Sequence, residues 1–309
     1  MRILVTGGAG YIGTELVRLL AESDGISEVI VYDNLSRRAH GLFLGARLGR
    51  VPVRFVRGEL LDTRSLRAAT RGVDTVVHLA ARVSTPFADG DAHSFEQVNH
   101  WGTAELGYIG AEVGVNRLIY LSSTSVYGDT GTEPASLEIV PDPRTAYGIS
   151  KLAGERALAP FAESGELLVI RCANVYGFSP SLRFDAVVNK MLFDVIFAIK
   201  ITQEGSGRQF RAFASVEGVT RVLAELALGK GEAGVYHLVE RNLSISEVAE
   251  VITELLPDTD TLYVAQDMPR RHLQVVPDRR LTPAGDRRVE GFVEELRAFM
   301  GRFAFGNPA

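Results

Sequence analysis

Apolar residues along the first half of the chain fall into two patterns. Short, continuously apolar runs at residues 2–6, 28–32, 53–56, 75–79, 117–122 and 167–171 predict β-strands. Helical spacing of apolar positions occurs at residues 15–21, 65–70, 96–113 and 146–159. Strands this apolar must be covered by other elements on both faces of the sheet. The connections in strand–helix–strand units are right-handed crossovers. We therefore predict a doubly wound parallel sheet, the Rossmann type of α/β fold.

The pattern loosens after Val175. Glycine and proline interrupt it at Gly177, Pro180, Gly205 and Gly207, and short helices then mix with strands such as residues 234–239. We therefore predict two lobes that share one cleft. The Rossmann domain is expected over residues 1–173 with about residues 212–233, and a smaller mixed α/β lobe for the substrate over residues 174–211 and 234–309.

Composition and charge narrow the class of protein. The chain of 309 residues is 46% hydrophobic and 23% charged, as in ordinary globular proteins. Its net charge is −5 and no basic run exceeds a pair of arginines, so we expect no nucleic-acid partner. The apolar stretch at residues 191–201, read as a buried helix, is too short to span a bilayer, so no membrane association is expected. The single cysteine, Cys172, and the lack of a leader before the first strand favour a reducing cytoplasm.

A glycine-rich loop joins the first predicted strand to the first helix, with the sequence Thr6-Gly7-Gly8-Ala9-Gly10-Tyr11-Ile12-Gly13. It satisfies G-x-G-x-x-G and also a looser glycine spacing. Such loops bring backbone amides close to a pyrophosphate at a helix N-terminus. A lone match can be only a turn that caps a strand, but the position between strand and helix favours a dinucleotide site that includes Tyr11 and Ile12.

The second predicted strand ends at Asp33, about 20 residues after the loop, where a carboxylate binds the hydroxyls of an adenosine ribose. We therefore predict NAD as the cofactor, with Asn34 at the same site; Arg37 and Arg38 leave NADP open. For Asp62, after the third strand, the sequence leaves open that it accepts from the adenine amino group, that it caps the helix that follows, or that it does both. No metal is predicted.

Tyr147 and Lys151 lie four residues apart, so on a helix they share one face. A free phenol titrates near ~10, but a nearby ammonium favours the phenolate. Ser123 follows the strand at residues 117–122, at the edge of the sheet where such folds bind ligands. The three residues predict a proton relay for hydride transfer. The alternative is a polar turn at Ser123 and a half-buried aromatic at Tyr147.

With these residues, the chain resembles the extended short-chain dehydrogenase/reductases of the nucleotide-sugar epimerase/dehydratase group over nearly its whole length. Besides the glycine loop, the segments that carry the resemblance are Val31-Tyr32-Asp33-Asn34-Leu35-Ser36, Val77-His78-Leu79-Ala80-Ala81, Asn99 with Gly102-Thr103, Leu121-Ser122-Ser123-Thr124-Ser125-Val126-Tyr127-Gly128, Tyr147 with Lys151, and Arg171-Cys172-Ala173-Asn174-Val175-Tyr176-Gly177.

The resemblance implies roles for individual residues. The catalytic positions fall on Ser123, Tyr147 and Lys151, and Lys151 would also bind the nicotinamide ribose. Further cofactor contacts are implied for Leu79, Ala80, Ala81 and Asn99. Candidate substrate-binding residues besides Ser123 are Arg211, which would meet the diphosphate, and Ser84, Asn174, Asn189 and Arg271. The family usually dimerises through two long helices of each subunit, here residues 96–113 and 146–159, so a homodimer with a four-helix bundle is implied.

The two residues after Ser123 favour one activity within the family. Family 4,6-dehydratases usually carry Asp-Glu there, and xylose-forming decarboxylases usually carry Glu at the second position, whereas this chain has Thr124-Ser125. Residues 122–128 and 33–36 resemble most the UDP-hexose 4-epimerases. We therefore predict NAD-dependent epimerisation at C4 of a nucleotide sugar, with a UDP-sugar favoured. An NAD(P)H-dependent ketoreductase and a catalytically silent NAD-sensing regulator remain open.

Overall fold

The computed structural model describes residues 1–45, 47–83, 91–198, 200–264, 271–282 and 284–303. A seven-stranded sheet lies at its centre, in the order β10-β6-β5-β4-β1-β2-β3. Its strands are β1 (Arg2–Thr6), β2 (Glu28–Asp33), β3 (Val53–Arg57), β4 (Thr75–His78), β5 (Arg117–Ser123), β6 (Glu166–Cys172) and β10 (Gly234–Leu238). Every pairing in this sheet is parallel, which confirms the predicted doubly wound sheet.

Alternate residues of β1 contribute to two separate cores. Ile3 and Val5 belong to one cluster of buried apolar side chains, and Leu4 belongs to the other. Helices α1 (Tyr11–Glu22) and α7 (Val216–Ala227) cover the first face, while α2 (Thr63–Thr70) and α4 (Gly102–Val113) cover the second. Successive strand side chains point to opposite faces, so a continuously apolar strand is what a sheet covered on both sides needs.

The helix predicted over residues 96–113 begins earlier and contains an irregular segment. α3 (Ala92–Phe95) continues into a π-helical segment (Glu96–Trp101) and then into α4, which ends at Val113 and is capped by Gly114 with φ of +78°. π-helical segments are rare and often occur at functional sites. Apolar spacing could not reveal this one, because it inserts an extra residue into an otherwise continuous helix. The fifth helix, α5 (Ala146–Ala157), is close to its predicted range.

A second lobe of mixed α/β structure follows. Strands β7 (Asn174–Tyr176), β9 (Phe210–Ser215) and β11 (Arg241–Ser244) form one small sheet, and β8 (Lys200–Glu204) pairs with β12 (Asp260–Val264). Helices α6 (Val187–Ala198), α8 (Ile245–Leu255) and α9 (Phe292–Met300) surround a third apolar core. Leu192, Ile252 and Leu296, one from each helix, are fully buried in it.

The strand predicted at residues 234–239 for the second lobe belongs instead to the large sheet. β10 pairs in parallel with β6 at the edge of the large sheet, with Gly234 opposite Leu168 and Leu238 opposite Cys172. The apolar pattern of a strand does not show which sheet the strand joins. For β10 that depends on the tertiary packing of α7, the helix that precedes it in the chain. The helix read at residues 191–201 also ends earlier, at Ala198, and Lys200 and Ile201 begin β8. The rest of the division into lobes stays a prediction.

None of the helices in the described part of the chain combines the length and the apolar character needed to cross a membrane.

The packing of α1 can be tested with a matched pair of leucines. Leu16 is fully buried against the sheet, whereas Leu19 on the same helix is 39% exposed. Leu16→Ala should lower the free energy of unfolding by about 2–5 kcal/mol, because it leaves a cavity in the core. Leu19→Ala should change it by less than about 1 kcal/mol. Chemical denaturation measures both, and equal losses would contradict this packing.

Candidate active site

A cleft of about 1380 Å³ opens at the carboxyl ends of the parallel strands. Its walls combine the glycine loop, the segments that follow β2, β4 and β5, and parts of the second lobe near β7 and β9. β1 and β4 are neighbours in the sheet, and the strands on either side of them extend it in opposite directions. In open α/β sheets this switch point is where ligands bind.

The glycine loop packs directly on the chain that follows β4. Gly7 has φ of +69°, and a Cβ on it would lie 2.6 Å from the backbone nitrogen of Ala80. A Cβ on Gly13 would lie 2.4 Å from the carbonyl oxygen of Gly7. Both positions therefore require glycine. The loop residues predicted to contact the cofactor all line the cleft: Gly7, Gly10, Tyr11, Ile12 and Gly13.

Asp33 lies in the cleft wall at the end of β2. Its carboxylate accepts hydrogen bonds from the backbone N–H of Ala9 at 3.1 Å and of Leu35 at 2.7 Å. Burial raises the pKa of this carboxyl, and the two N–H groups oppose the rise. Asn34 also lines the cleft, and its amide donates to Glu59 at 2.9 Å. These polar groups are at the position predicted for the adenosine ribose.

Asp62 is not brought into the cleft. Its carboxylate accepts a hydrogen bond from the backbone N–H of Ser65 at 3.1 Å and caps α2. It is absent from the residues that line the cleft. Of the two alternatives that the sequence left open, the helix cap is the one observed.

Leu79, Ala80 and Ala81 line the cleft, and Asn99 lies behind them in the π-helical segment, fully buried. The Asn99 side chain accepts from the backbone N–H of Arg82 at 2.8 Å and donates to its carbonyl oxygen at 2.9 Å. It also donates to the Ser150 hydroxyl at 3.0 Å. Asn99 therefore joins the segment after β4 to α5 without facing the cleft itself.

Ser123, Tyr147 and Lys151 all line the cleft. The Thr145 hydroxyl caps α5 by accepting a backbone N–H at 3.1 Å, so Tyr147 and Lys151 fall in the first turns of the helix, on one face. Ser123 is the last residue of β5, and its hydroxyl is close enough to Tyr147 to lower the pKa of the phenol. The convergence that the sequence predicted is present.

Burial shifts the pKa values of both titratable members of this trio. Burial raises the pKa of the Tyr147 hydroxyl, and Arg183, the Ser123 hydroxyl and Arg37 lower it. Burial also lowers the pKa of Lys151 from 10.5 to about 7, against the opposing effect of the Glu155 carboxylate. The Lys151 ammonium lies 4.1 Å above the centre of the Tyr120 ring.

The sequence pattern indicated Lys151 as the group that activates the tyrosine, and the structure adds two arginines beside it. The sequence suggested Arg37 only as a partner for a 2′-phosphate and did not point to Arg183. A usable signal was their position, since Arg37 follows β2 and Arg183 follows β7, at strand ends where this fold binds ligands.

A buried network that the sequence analysis also missed links α5 to the segment at residues 271–278. Glu155 pairs with Arg171 at 2.8 Å, and Arg171 donates to the Tyr127 hydroxyl at 2.7 Å. The Tyr127 hydroxyl lies 2.6 Å from His237 Nε2, and His237 Nδ1 lies 2.9 Å from the carbonyl oxygen of Val276. A carbonyl only accepts, so Nδ1 carries the proton and Tyr127 donates to Nε2. Its members are far apart in sequence, which hid the network.

Three of the predicted substrate-binding residues line the cleft on the side of the second lobe: Asn174, Arg211 and Arg271. The Arg211 guanidinium donates to the carbonyl oxygen of Phe210 at 2.7 Å and also to that of Arg271. The Asn174 amide donates to the carbonyl oxygen of Ala212 at 3.0 Å. Backbone contacts therefore hold both side chains at the cleft wall.

Asn189 is not brought into the cleft. It is fully buried, and its amide bonds the backbone N–H of Gly177 at 2.9 Å, the Tyr11 hydroxyl at 3.2 Å and the carbonyl oxygen of Arg183 at 3.0 Å. These contacts connect the start of α1 to the second lobe. Ser84 lies outside the described residues.

The residues present fit a dinucleotide such as NAD. Gly10 is the N-cap of α1 and makes no side-chain cap, so the first N–H groups of the helix are left for another acceptor. The helix N-terminus also favours negative charge, as a pyrophosphate carries. The close packing of Gly7 and Gly13 keeps side chains out of this turn.

Comparison with known proteins assigns the family. Residues 3–237 match the model of the NAD dependent epimerase/dehydratase family. The chain is also 30% identical to the dTDP-glucose 4,6-dehydratase of Streptomyces niveus, in an alignment that covers 99% of this chain and 90% of that protein. The protein therefore belongs to the NAD dependent epimerase/dehydratase family, as predicted, and NAD is the cofactor of that family.

Solved structures agree with this assignment. MoeE5 in complex with UDP-glucose and NAD is 26% identical, with a TM-score of 0.82 over 97% of this chain and 98% of that chain. The UDP-N-acetylglucosamine 4-epimerase from Methanobrevibacter ruminantium M1, in complex with UDP-N-acetylmuramic acid, has a TM-score of 0.84 at 24% identity, covering 97% of each chain. At that identity the second likeness shows the fold alone.

The burial of Lys151 predicts how stability depends on pH. Its pKa is about 7 in the folded protein and 10.5 otherwise, so between these values the unfolded chain binds a proton that the native protein lacks. The cost of burying the ammonium is therefore full below pH 7 and vanishes above about pH 10.5. Lys151→Met should raise the free energy of unfolding by up to a few kcal/mol at pH 6, with a gain that shrinks steadily towards pH 10.

Urea unfolding of wild type and variant across this range measures the difference. Lys190→Met is the control, because the Lys190 side chain is 52% exposed and pairs with Asp194 on the surface of α6. A gain from Lys151→Met that does not change with pH would contradict the buried ammonium.

Proposed function

We propose that the protein epimerises a nucleotide-diphosphate sugar at C4, most readily a UDP-hexose, through a transient 4-keto sugar. The observation that carries the proposal is the makeup of the cleft wall beside Ser123 and Tyr147. Thr124 and Ser125 line it with hydroxyl groups, and Ser125 donates to the Ser123 hydroxyl at 3.0 Å. The site therefore holds one proton relay, which is what C4 epimerisation needs.

In the proposed reaction, Tyr147 as phenolate removes the proton of the sugar 4-hydroxyl and later returns it. Ser123 shares the hydrogen bond to the reacting oxygen. Burial raises the pKa of Tyr147, and Arg183 and Arg37 favour the phenolate by opposing that rise. Bound NAD supplies the nicotinamide ring that exchanges a hydride with C4. Such a relay is worth roughly 10²–10⁴ in rate.

Inversion requires that the sugar turn over while the rest of the substrate stays in place. Arg211 and Arg271 are assigned to the diphosphate, because both line the cleft and Arg211 is held against β9 and the carbonyl oxygen of Arg271. A guanidinium forms paired hydrogen bonds with phosphate oxygens, which gives a firm anchor. The roles of Gly7, Gly10, Gly13, Asp33 and Lys151 in holding NAD are proposed on the same basis.

A 4,6-dehydratase activity is the second candidate, because the similar protein of Streptomyces niveus carries that name. Elimination of water from C5 and C6 needs an acid and a base in addition to the tyrosine. Among the described residues that line the cleft, the carboxylates are Asp33, Glu59 and Asp185. Asp33 is the last residue of β2, Glu59 follows β3, and Asp185 pairs with Arg183 at 2.9 Å. None of the three takes the place of Thr124 or Ser125.

The distinguishing experiment is proton NMR of the purified protein with UDP-glucose, UDP-N-acetylglucosamine and UDP-glucuronate in deuterated buffer. No NAD(P)H is added. We expect the C4 epimer of at least one of them, without deuterium in the ring, because the hydride returns to the carbon that it left. A 4-keto-6-deoxy product would establish the dehydratase instead, and turnover only after NAD(P)H is added would establish a reductase.

Tyr147→Phe tests the assigned base. The ring keeps its contact with Phe95, whose centroid lies 5.9 Å away, so the fold and NAD binding should be retained. The rate of epimerisation should fall at least about 10²-fold, because the proton acceptor is lost. Tyr263→Phe is the control, since Tyr263 is 50% exposed on β12. A near-normal rate in Tyr147→Phe would remove the mechanism.

The predicted homodimer is proposed on the same helices. Trp101, Tyr108 and Ile149 are 52%, 67% and 51% exposed on the helices at residues 96–113 and 146–157. Large exposed apolar side chains on adjacent helices are typical of an interface between subunits.

A further inference from the structure

Three arginines line the cleft on the side of Tyr147: Arg37, Arg82 and Arg183. They come from separate loops, which follow β2, β4 and β7. Arg37 and Arg183 both interact electrostatically with the Tyr147 hydroxyl, and Arg37 interacts with Arg82 and Arg183 in turn. Like charges this close repel one another, so the stability of the fold does not explain why they converge.

Two of the arginines are held in place by neighbouring carboxylates. Arg183 donates through Nε to Asp185 at 2.9 Å and through Nη2 to the other carboxylate oxygen at 3.2 Å. Arg82 pairs with Asp91 at 2.9 Å. Among the described residues, these three guanidinium groups pair with two carboxylates, so the described part of this cleft wall carries net positive charge.

The two diphosphate groups of the ligands, one in NAD and one in the substrate, are assigned to other parts of the cleft. The pyrophosphate of NAD is assigned to the N-terminus of α1, and the diphosphate of the substrate to Arg211 and Arg271. The charge beside Tyr147 therefore lies at the reacting end of the sugar. On a hexopyranose, the substituent nearest to C4 that can carry a negative charge is a carboxylate at C5, as in a uronic acid.

We propose that Arg183 and Arg37, together with the hydroxyls of Thr124 and Ser125, form a subsite for the carboxylate of a nucleotide-activated uronic acid. The inference rests on the proposed function, which it narrows to acidic sugars. A guanidinium and hydroxyl donors match the oxygens of a carboxylate, whereas the hydroxymethyl group of a neutral hexose would leave the positive charge uncompensated. Thr124 and Ser125 line the same wall as Ser123, directly after it in sequence.

The test compares UDP-glucuronate with UDP-glucose on the protein with NAD bound. In the wild type, kcat/KM for C4 epimerisation should be higher for UDP-glucuronate by about 10- to 100-fold, the usual effect of a hydrogen bond to a charged group. Arg183→Gln should lower the ratio of the two kcat/KM values by a similar factor. The ratio is used because Arg183 also lowers the pKa of Tyr147, which affects both substrates alike.

Arg54→Gln is the matched control, because Arg54 pairs with Glu28 at 2.9 Å on β3 and does not line the cleft. It should leave the ratio unchanged. Arg183→Lys keeps the positive charge but lacks the planar guanidinium with its paired donors. It should restore part of the preference for UDP-glucuronate over UDP-glucose. A fall in the rates with both sugars at an unchanged ratio would assign Arg183 to Tyr147 or to the diphosphate, and either assignment would overturn the subsite. A loss of NAD affinity with an unchanged ratio would assign it to the cofactor, with the same consequence.

Calorimetric titration separates this proposal from the proposed function. If neither sugar is epimerised, the C4 epimerase proposal fails, and the subsite is still judged by binding to the NAD-loaded protein. Affinity for UDP-glucuronate at least about 10-fold above that for UDP-glucose, lost in Arg183→Gln, would support the subsite. Equal affinities, including no measurable binding of either sugar, would overturn it.

Discussion

The close approach of two backbones at the centre of the sheet is the constraint on which the cleft depends. Gly7 turns with a positive φ against the backbone of Ala80, and Gly13 packs on the carbonyl oxygen of Gly7. This packing leaves α1 free to begin at the cleft with its N–H groups uncapped by a side chain. It also places the end of β1 beside the residues that follow β4. A side chain at Gly7 would push the glycine loop away from the backbone of Ala80, and one at Gly13 would push the start of α1 away from the loop.

A second constraint is the charge of Lys151, which the fold buries beside Tyr120. The ammonium is tolerated because Glu155, one helical turn later, opposes the effect of burial. Glu155 is in turn held by Arg171, and the contacts continue through Tyr127 to His237 and the carbonyl oxygen of Val276. The protonation of the lysine is thereby tied to this buried network. Removing one member of such a buried network leaves its partners unsatisfied.

The arginines around Tyr147 add positive charge to the cleft beside the trio of Ser123, Tyr147 and Lys151. Burial raises the pKa of the tyrosine, and Arg183 and Arg37 oppose that rise. In the proposed reaction, one group of charges would favour the phenolate and select the sugar. The hydroxyls of Thr124 and Ser125 fit that chemistry better than they fit elimination.

The sequence alone determined the class of fold, the glycine turn, the carboxylate after β2 and the trio, because each rests on short-range spacing. Continuously apolar strands require a sheet covered on both faces, and residues four apart on a helix share a face. Only the tertiary structure placed β10 in the large sheet, made Asp62 a helix cap and buried Asn189 away from the cleft. The tertiary structure also revealed the arginines at Tyr147 and the network from Glu155 to His237. Such contacts join residues far apart in the chain, and no local pattern of apolar and polar positions encodes them.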